Sequence, residues 1–149
     1  MLTVPNVFVL AAPHFDEVAV VTCLSMLRGQ GITAVLLTPT PGLISGKRGI
    51  TLRPDFSLAQ VNEFAIKPGQ MGIIAGGTES AANILTDPRT HQLLQQILAA
   101  GGLVAGMRHT CQFVQELGLA DDCFLEQGGE ETAVFIQQLI DMQFPGKNT

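Results

Sequence analysis

"GGLVAGMRHTCQF" (Gly101 to Phe113) decides the fold. Leu103 to Met107 form a short continuous apolar run, the pattern of a strand covered on both faces. From His109 onward, "HTCQFVQELGL" reads as a helix, so strand passes into helix with almost no connection. Many α/β enzymes carry a nucleophile on such a joint. Here the joint falls on Arg108, whose guanidinium is neither a nucleophile nor a usable base.

The same alternation extends in both directions. "VFVLAA" (Val7 to Ala12) is a buried strand, and "DEVAVVTCLSMLRGQG" is a helix with Asp16 and Glu17 in its first turn. Val20, Val21, Leu24 and Leu27 supply its buried face, and Gly29 or Gly31 ends it. "TAVLLTP" (Thr33 to Pro39) is a second buried strand, and "GLISGKRGITLRPD" a small hairpin turning at Gly46 to Gly49. "MGIIAGG" (Met71 to Gly77) is the third main strand. Asp87 and Pro88 start a helix that carries Leu94, Ile97 and Leu98 to a glycine stop. After the joint, "CFLEQ" is a short last strand. Gly128 and Gly129 open a final helix, with Glu130 and Glu131 in its first turn and Phe135, Ile136, Leu139 and Ile140 on its apolar side. Strands alternating with helices predict an α/β three-layer sandwich around a mostly parallel sheet, with one small hairpin after the second strand. Ligands of such sheets bind beyond the carboxyl ends of the strands. That directs attention to Pro13–Glu17, Gly76–Ser80, Met107–Cys111 and Gln127–Glu130.

With 149 residues, 46% apolar and 14% charged, the chain is expected to form a single globular domain over residues 1–149. A net charge of −5 argues against sequence-independent nucleic-acid binding, which needs a basic face. No apolar run is long enough to span a bilayer. The N-terminal stretch lacks the basic n-region of a signal peptide. Cys23, Cys111 and Cys123 are odd in number, with no CxxC pair, so neither a disulfide framework nor a metal site is expected. The expectation is a cytoplasmic protein with no cofactor and no membrane partner.

The ordered set of segments resembles the DJ-1/PfpI superfamily, flavodoxin-like domains related to class I glutamine amidotransferases. "FDEVAVVTCLSMLRGQGITAVLLTP" is similar to the family's first helix and second strand, and "SGKRGITLRPDFSL" to its hairpin. "GIIAGG" resembles the strand that ends in a glycine pair, and "LTDPRTHQLLQQILAAGGLVAGM" the helix and strand that lead into the elbow. The resemblance implies a flavodoxin-like fold and, because relatives commonly pair, a homodimer. It also implies a cysteine on the elbow and a glutamate from the first helix, and the sequence departs from both. "VAGMRHT" puts Arg108 in the cysteine's place, followed by His109, which is a histidine in many members. "FDEVAV" puts Ala19 in the glutamate's place. Ala75 replaces the proline before the glycine pair, and the span from Gly118 to Cys123 is shorter than usual.

Two readings of function follow. In the first, the domain has lost cysteine chemistry and serves a binding or structural role. Arg108 then forms an internal ion pair with Asp16 or Glu17, or joins His109 and free helix amides in holding a small anionic ligand, or is simply solvated. Gly76, Gly77, Thr78 and His14 are further candidate binding residues, the glycines for close backbone approach. In the second, the same fold has rebuilt hydrolase-like or glyoxalase-like chemistry on a small carbonyl or amide substrate. Its candidate catalytic residues are His109, Cys111 and Glu17. Against that, Glu17 lies two helical positions before Ala19, a rotation of about 200°. Cys23 falls among apolar neighbours as core, and His91 sits on a solvated helix flank.

Overall fold

A computed structural model describes residues 4–63, 65–116, 118 and 124–148. The sheet has six strands: β1 (Val7–Leu10), β2 (Ala34–Thr38), β5 (Phe56–Ser57), β6 (Met71–Ile74), β7 (Leu103–Gly106) and β8 (Phe124–Glu126). Their spatial order is β5-β2-β1-β6-β7-β8, and every pairing is parallel. Two further strands, β3 (Ile44–Ser45) and β4 (Thr51–Leu52), form a separate antiparallel hairpin.

The central strands are buried at every position, and apolar but for Thr38, because helices cover both faces. Alternate residues therefore belong to different cores. Val7, Val9, Met71 and Ile73 pack with Val20, Cys23 and Leu27 of α1 (Glu17–Gly29) and Phe135, Ile136, Leu139 and Ile140 of α5 (Thr132–Gln143). Phe8, Leu10, Leu37 and Ile74 pack on the opposite face, against α2 (Thr78–Leu85), α3 (Pro88–Ala99), α4 (Cys111–Glu116) and a 3₁₀ turn at Leu58–Glu63. This is the three-layer α/β sandwich that the sequence predicts.

Local signals set the helix ends. The Asp16 side chain accepts from the Ala19 amide at 3.1 Å and caps α1, and Asp87 accepts from the Arg89 amide and caps α3. Several predicted details change. Val21 is exposed, because the buried face of α1 runs through Val20, Cys23 and Leu27 at helical spacing, with Val21 beside it. The final helix begins at Thr132, so Glu130 and Glu131 precede it. Helix α2 and strand β5 carry no strong sequence signal. β5 is held to the sheet edge partly by Asp55, whose Oδ2 accepts from the Leu36 amide and from Arg28 Nη2, each at 2.8 Å. Residues 119–123, which include Cys123 and most of the span expected to be shorter than the family's, lie outside the described residues. Among the described residues no helix is long and apolar enough to cross a membrane.

Candidate functional site

The carboxyl ends of β1, β6, β7 and β8 meet around a cavity of about 240 Å³. Asp16 and Ala19 line it from the start of α1, and Gly76, Gly77 and Thr78 from the β6–α2 joint. Met107, Arg108 and His109 come from the β7–α4 joint, Gln127 and Thr132 from around the start of α5, and Lys47 from the hairpin tip. The position follows from topology, since a parallel sheet opens its crevices at that edge. Five of the predicted binding residues, Gly76, Gly77, Thr78, Arg108 and His109, are brought together here.

The floor requires glycine. Gly77 has φ +99°, and a β-carbon there would lie 2.8 Å from the His14 carbonyl oxygen and 3.1 Å from the Asp16 nitrogen. The Asp16 amide donates to the Gly76 carbonyl at 2.9 Å, which clamps the two loops together. Gly77 offers no side-chain cap to α2, so that helix opens toward the cavity with its first amides uncapped.

At the elbow, the Met107 amide donates to the Ile74 carbonyl at 3.0 Å, and the Thr110 hydroxyl donates to the Met107 carbonyl at 2.7 Å. The chain turns between these anchors through Arg108 and His109. The sequence places the joint on Arg108 alone. In the structure it spans both residues, and the left-handed backbone belongs to His109, at φ +68°. Histidine tolerates that region better than most residues, yet the conformation stores strain.

The guanidinium of Arg108 reaches across to the loop before α5. Its Nε donates to the Gly128 carbonyl at 2.9 Å, and its Nη2 donates to the carbonyls of Gly129, at 3.3 Å, and Glu130. The expected ion pair with Asp16 or Glu17 is replaced by these carbonyls, because the hairpin tip supplies other cations to both carboxylates. Lys47 Nζ stands 3.3 Å from Asp16, and Arg48 Nη1 stands 3.8 Å from Asp16 and 3.7 Å from Glu17. Burial pushes the Asp16 carboxyl up, but the Ala19 amide and the Lys47 and Arg48 cations outweigh it and hold the group below its ordinary value.

Ala19 stands under the elbow. A β-carbon built on Gly76 would lie 3.5 Å from the β-carbons of Ala19, Asp16 and Met107. Glu17 instead faces the hairpin and is absent from the described lining of the cavity. His14 also has a left-handed backbone, φ +70°, and its Nε2 lies 3.8 Å from Glu79 Oε2 on the exposed rim. His91 is half-buried rather than solvated, with its Nε2 2.7 Å from the Leu85 carbonyl oxygen. The backbone of Cys111 opens α4, and its side chain lies outside what the structure describes. Cys23 is fully buried, and burial pushes its thiol up to about 12. Among the described residues no cluster of His, Cys, Asp and Glu is arranged to hold a metal.

Sequence reasoning missed Lys47 and Thr132 as cavity residues; Asp16 and Gln127 fall in the segments it singled out, without a binding role assigned to them. Gln127 is buried, and its Nε2 donates to the Glu130 carbonyl at 3.0 Å and lies 3.3 Å from the Thr132 hydroxyl. The available signal for Lys47 was its place between Gly46 and Gly49 at a hairpin tip.

Comparison with protein families gives a match to the DJ-1/PfpI family model over residues 5–123. The chain belongs to the DJ-1/PfpI family. A comparison with curated protein sequences finds no match. Among solved structures, oxidized DJ-1 of Toxoplasma gondii is 17% identical, with a TM-score of 0.83 over 94% of this chain and 91% of that one. A cysteine-to-alanine variant of a DJ-1 superfamily protein from Salmonella typhimurium is 18% identical, with a TM-score of 0.79 over 97% and 92%. DJ-1beta of Drosophila melanogaster is 16% identical, with a TM-score of 0.79 over 95% and 91%. At these identities the likeness establishes the DJ-1 fold.

Proposed function

We propose that this DJ-1/PfpI domain binds a small anion at the elbow cavity and performs no thiol chemistry there. The observation that carries the reading is the elbow itself. Arg108 and His109 make the turn, Ala19 lies beneath it, and the guanidinium is committed to three loop carbonyls. At positions 108 and 19, where the resemblance implies a cysteine and a glutamate, the corner carries a guanidinium and a methyl group. What remains is a recess with two cations, Lys47 and Arg108, against the single carboxylate of Asp16, beside the uncapped start of α2. Such a field favours an anionic group. The cavity, at about 240 Å³, has room for phosphate, sulfate or a short carboxylate.

Thermal denaturation with phosphate, sulfate and small carboxylates tests this. At a hundred times the dissociation constant, a bound anion stabilises by about 2.7 kcal/mol. For a chain of this size that raises Tm by roughly 5–11 °C. Lys47→Met, binding about three- to ten-fold more weakly, loses about a quarter to a half of the effect at the same anion concentration. If none of the anions raises Tm, the binding reading fails.

One observation favours a second reading. The strained residue on the elbow is an imidazole facing the cavity, and backbone strain collects at reactive positions. In that reading His109 is the base of a rebuilt hydrolase. Turnover of small esters or amides that disappears in His109→Gln would establish it. The proposal also includes a homodimer in the cytoplasm. Val18 and Val21, exposed on α1 beside the hairpin that carries exposed Ile50, support pairing through that face.

A further inference from the structure

The buried carboxylate of Glu17 has no part in the elbow, yet it is the most enclosed charged group described, with 2% exposure. Its Oε2 accepts from the Arg48 amide at 2.7 Å and from the Ile50 amide at 3.2 Å. Those amides belong to the hairpin tip, a tight turn closed by Gly49 N–H to the Gly46 carbonyl at 3.0 Å and Gly46 N–H to the Ile50 carbonyl at 2.8 Å. The fit leaves no spare space. A β-carbon on Gly46 would lie 2.3–2.5 Å from the Glu17 carboxyl group, so residue 46 has to be glycine for the tip to seat.

Lys47 stands inside this turn. Its amide donates to the Phe15 carbonyl at 3.0 Å, and its side chain runs past Asp16 into the cavity wall. Glu17, the first residue of α1, and Asp16, its cap, thus divide the work. Glu17 grips the backbone on the C-terminal side of Lys47, and Asp16 faces the ammonium group. A flexible lysine on a free hairpin would sample water, whereas a lysine on a seated turn is held at the cavity.

We infer that Glu17 is a positioning residue for the anion site: it seats the hairpin tip through the Arg48 and Ile50 amides and so presents Lys47 to the ligand. The inference rests on the anion-binding reading proposed above and adds to it the residue that sets affinity from outside the cavity. It explains a carboxylate at position 17 without giving it any chemistry. It also accounts for the glycine at 46, which would otherwise be an unforced choice.

The test is a double-mutant cycle read by calorimetric sulfate binding to the full chain. Glu17→Ala and Lys47→Met each weaken binding about three- to ten-fold, the scale of one charge-assisted contact. The double variant binds no more weakly than Lys47→Met alone, since without the lysine there is nothing left to position. Glu17→Gln, which keeps one acceptor for the amides, recovers part of the affinity and serves as the test if Glu17→Ala does not fold. Hydrogen exchange at the Arg48 and Ile50 amides reports the seating independently of any ligand. Additive losses in the double variant overturn the inference, as does faster exchange at both amides with affinity unchanged; in those cases the anion site itself stands. Absence of sulfate binding by the unmodified protein overturns both.

Discussion

Replacing Gly77 with alanine probes the joint that shapes the cavity floor, and the expected loss has two separable parts. The first is conformational. At φ +99° an L-residue is strained, and the left-handed region costs about 1–2 kcal/mol for a residue with a β-carbon. The second is steric. The new β-carbon would lie 2.8 Å from the His14 carbonyl oxygen and 3.1 Å from the Asp16 nitrogen, both backbone atoms. Relief requires moving the loop that holds the Asp16 amide on the Gly76 carbonyl, which forfeits about 0.5–1.5 kcal/mol of hydrogen bonding. The sum is roughly 1.5–3.5 kcal/mol, a fall in Tm of about 3–14 °C for a chain of this length. Urea denaturation followed by circular dichroism measures it. Gly69→Ala is the control, with φ +86° and no atom within 4 Å of its added β-carbon, so it carries the first part alone. If Gly77→Ala is no more destabilising than Gly69→Ala, the close approach of the two loops is not what fixes glycine there.

Other outcomes follow from the same geometry. Arg108→Ala removes the donors that join the elbow to Gly128–Glu130, lowers stability by about 1–2 kcal/mol, and speeds hydrogen exchange in the loop before α5. The Cys23 thiol, fully buried and pushed up to about 12, reacts with a thiol reagent at neutral pH only after unfolding; labelling as fast as a free thiol would contradict its placement. Asp16 and Glu17 both have lowered carboxyl values, so the stability they add is complete above their ordinary 3.8 and 4.5 and drains as pH falls through the lowered values. In Asp16→Asn, which keeps the helix cap, a pH titration of stability shows a shallower acid loss than in the unmodified chain. In the proposed homodimer, Val18→Asp places a charge on the exposed face of α1 and shifts the pair toward monomer in sedimentation, with little change in monomer fold; sedimentation unchanged from the unmodified chain would contradict pairing through that face.

The layered architecture was legible because its signals are local and redundant. Apolar runs such as Val7–Leu10 and Met71–Ile74 are too short for helices and too continuous for a half-exposed strand, while Asp16 and Asp87 announce helix starts through their own side chains. Helix α2 was not legible, since Gly77 supplies no side-chain cap and the eight residues hold few large apolar groups. Strand β5 has only two residues and is held by Asp55 from outside the ladder. At the site, the glycines and the elbow could be placed from their neighbours in the chain. The partners of Arg108, Asp16 and Glu17 could not. They are fixed by where a hairpin tip and a glycine loop dock, contacts between segments about 20 to 30 residues apart that no periodicity encodes.

Sulfate titration followed by amide resonances tests the anion-binding claim most directly. Saturable shifts confined to Lys47, Gly77, Thr78 and His109, needing about three to ten times more sulfate in Lys47→Met, are the predicted result. Shifts that stay linear in sulfate, or that saturate at residues remote from the elbow, would contradict it.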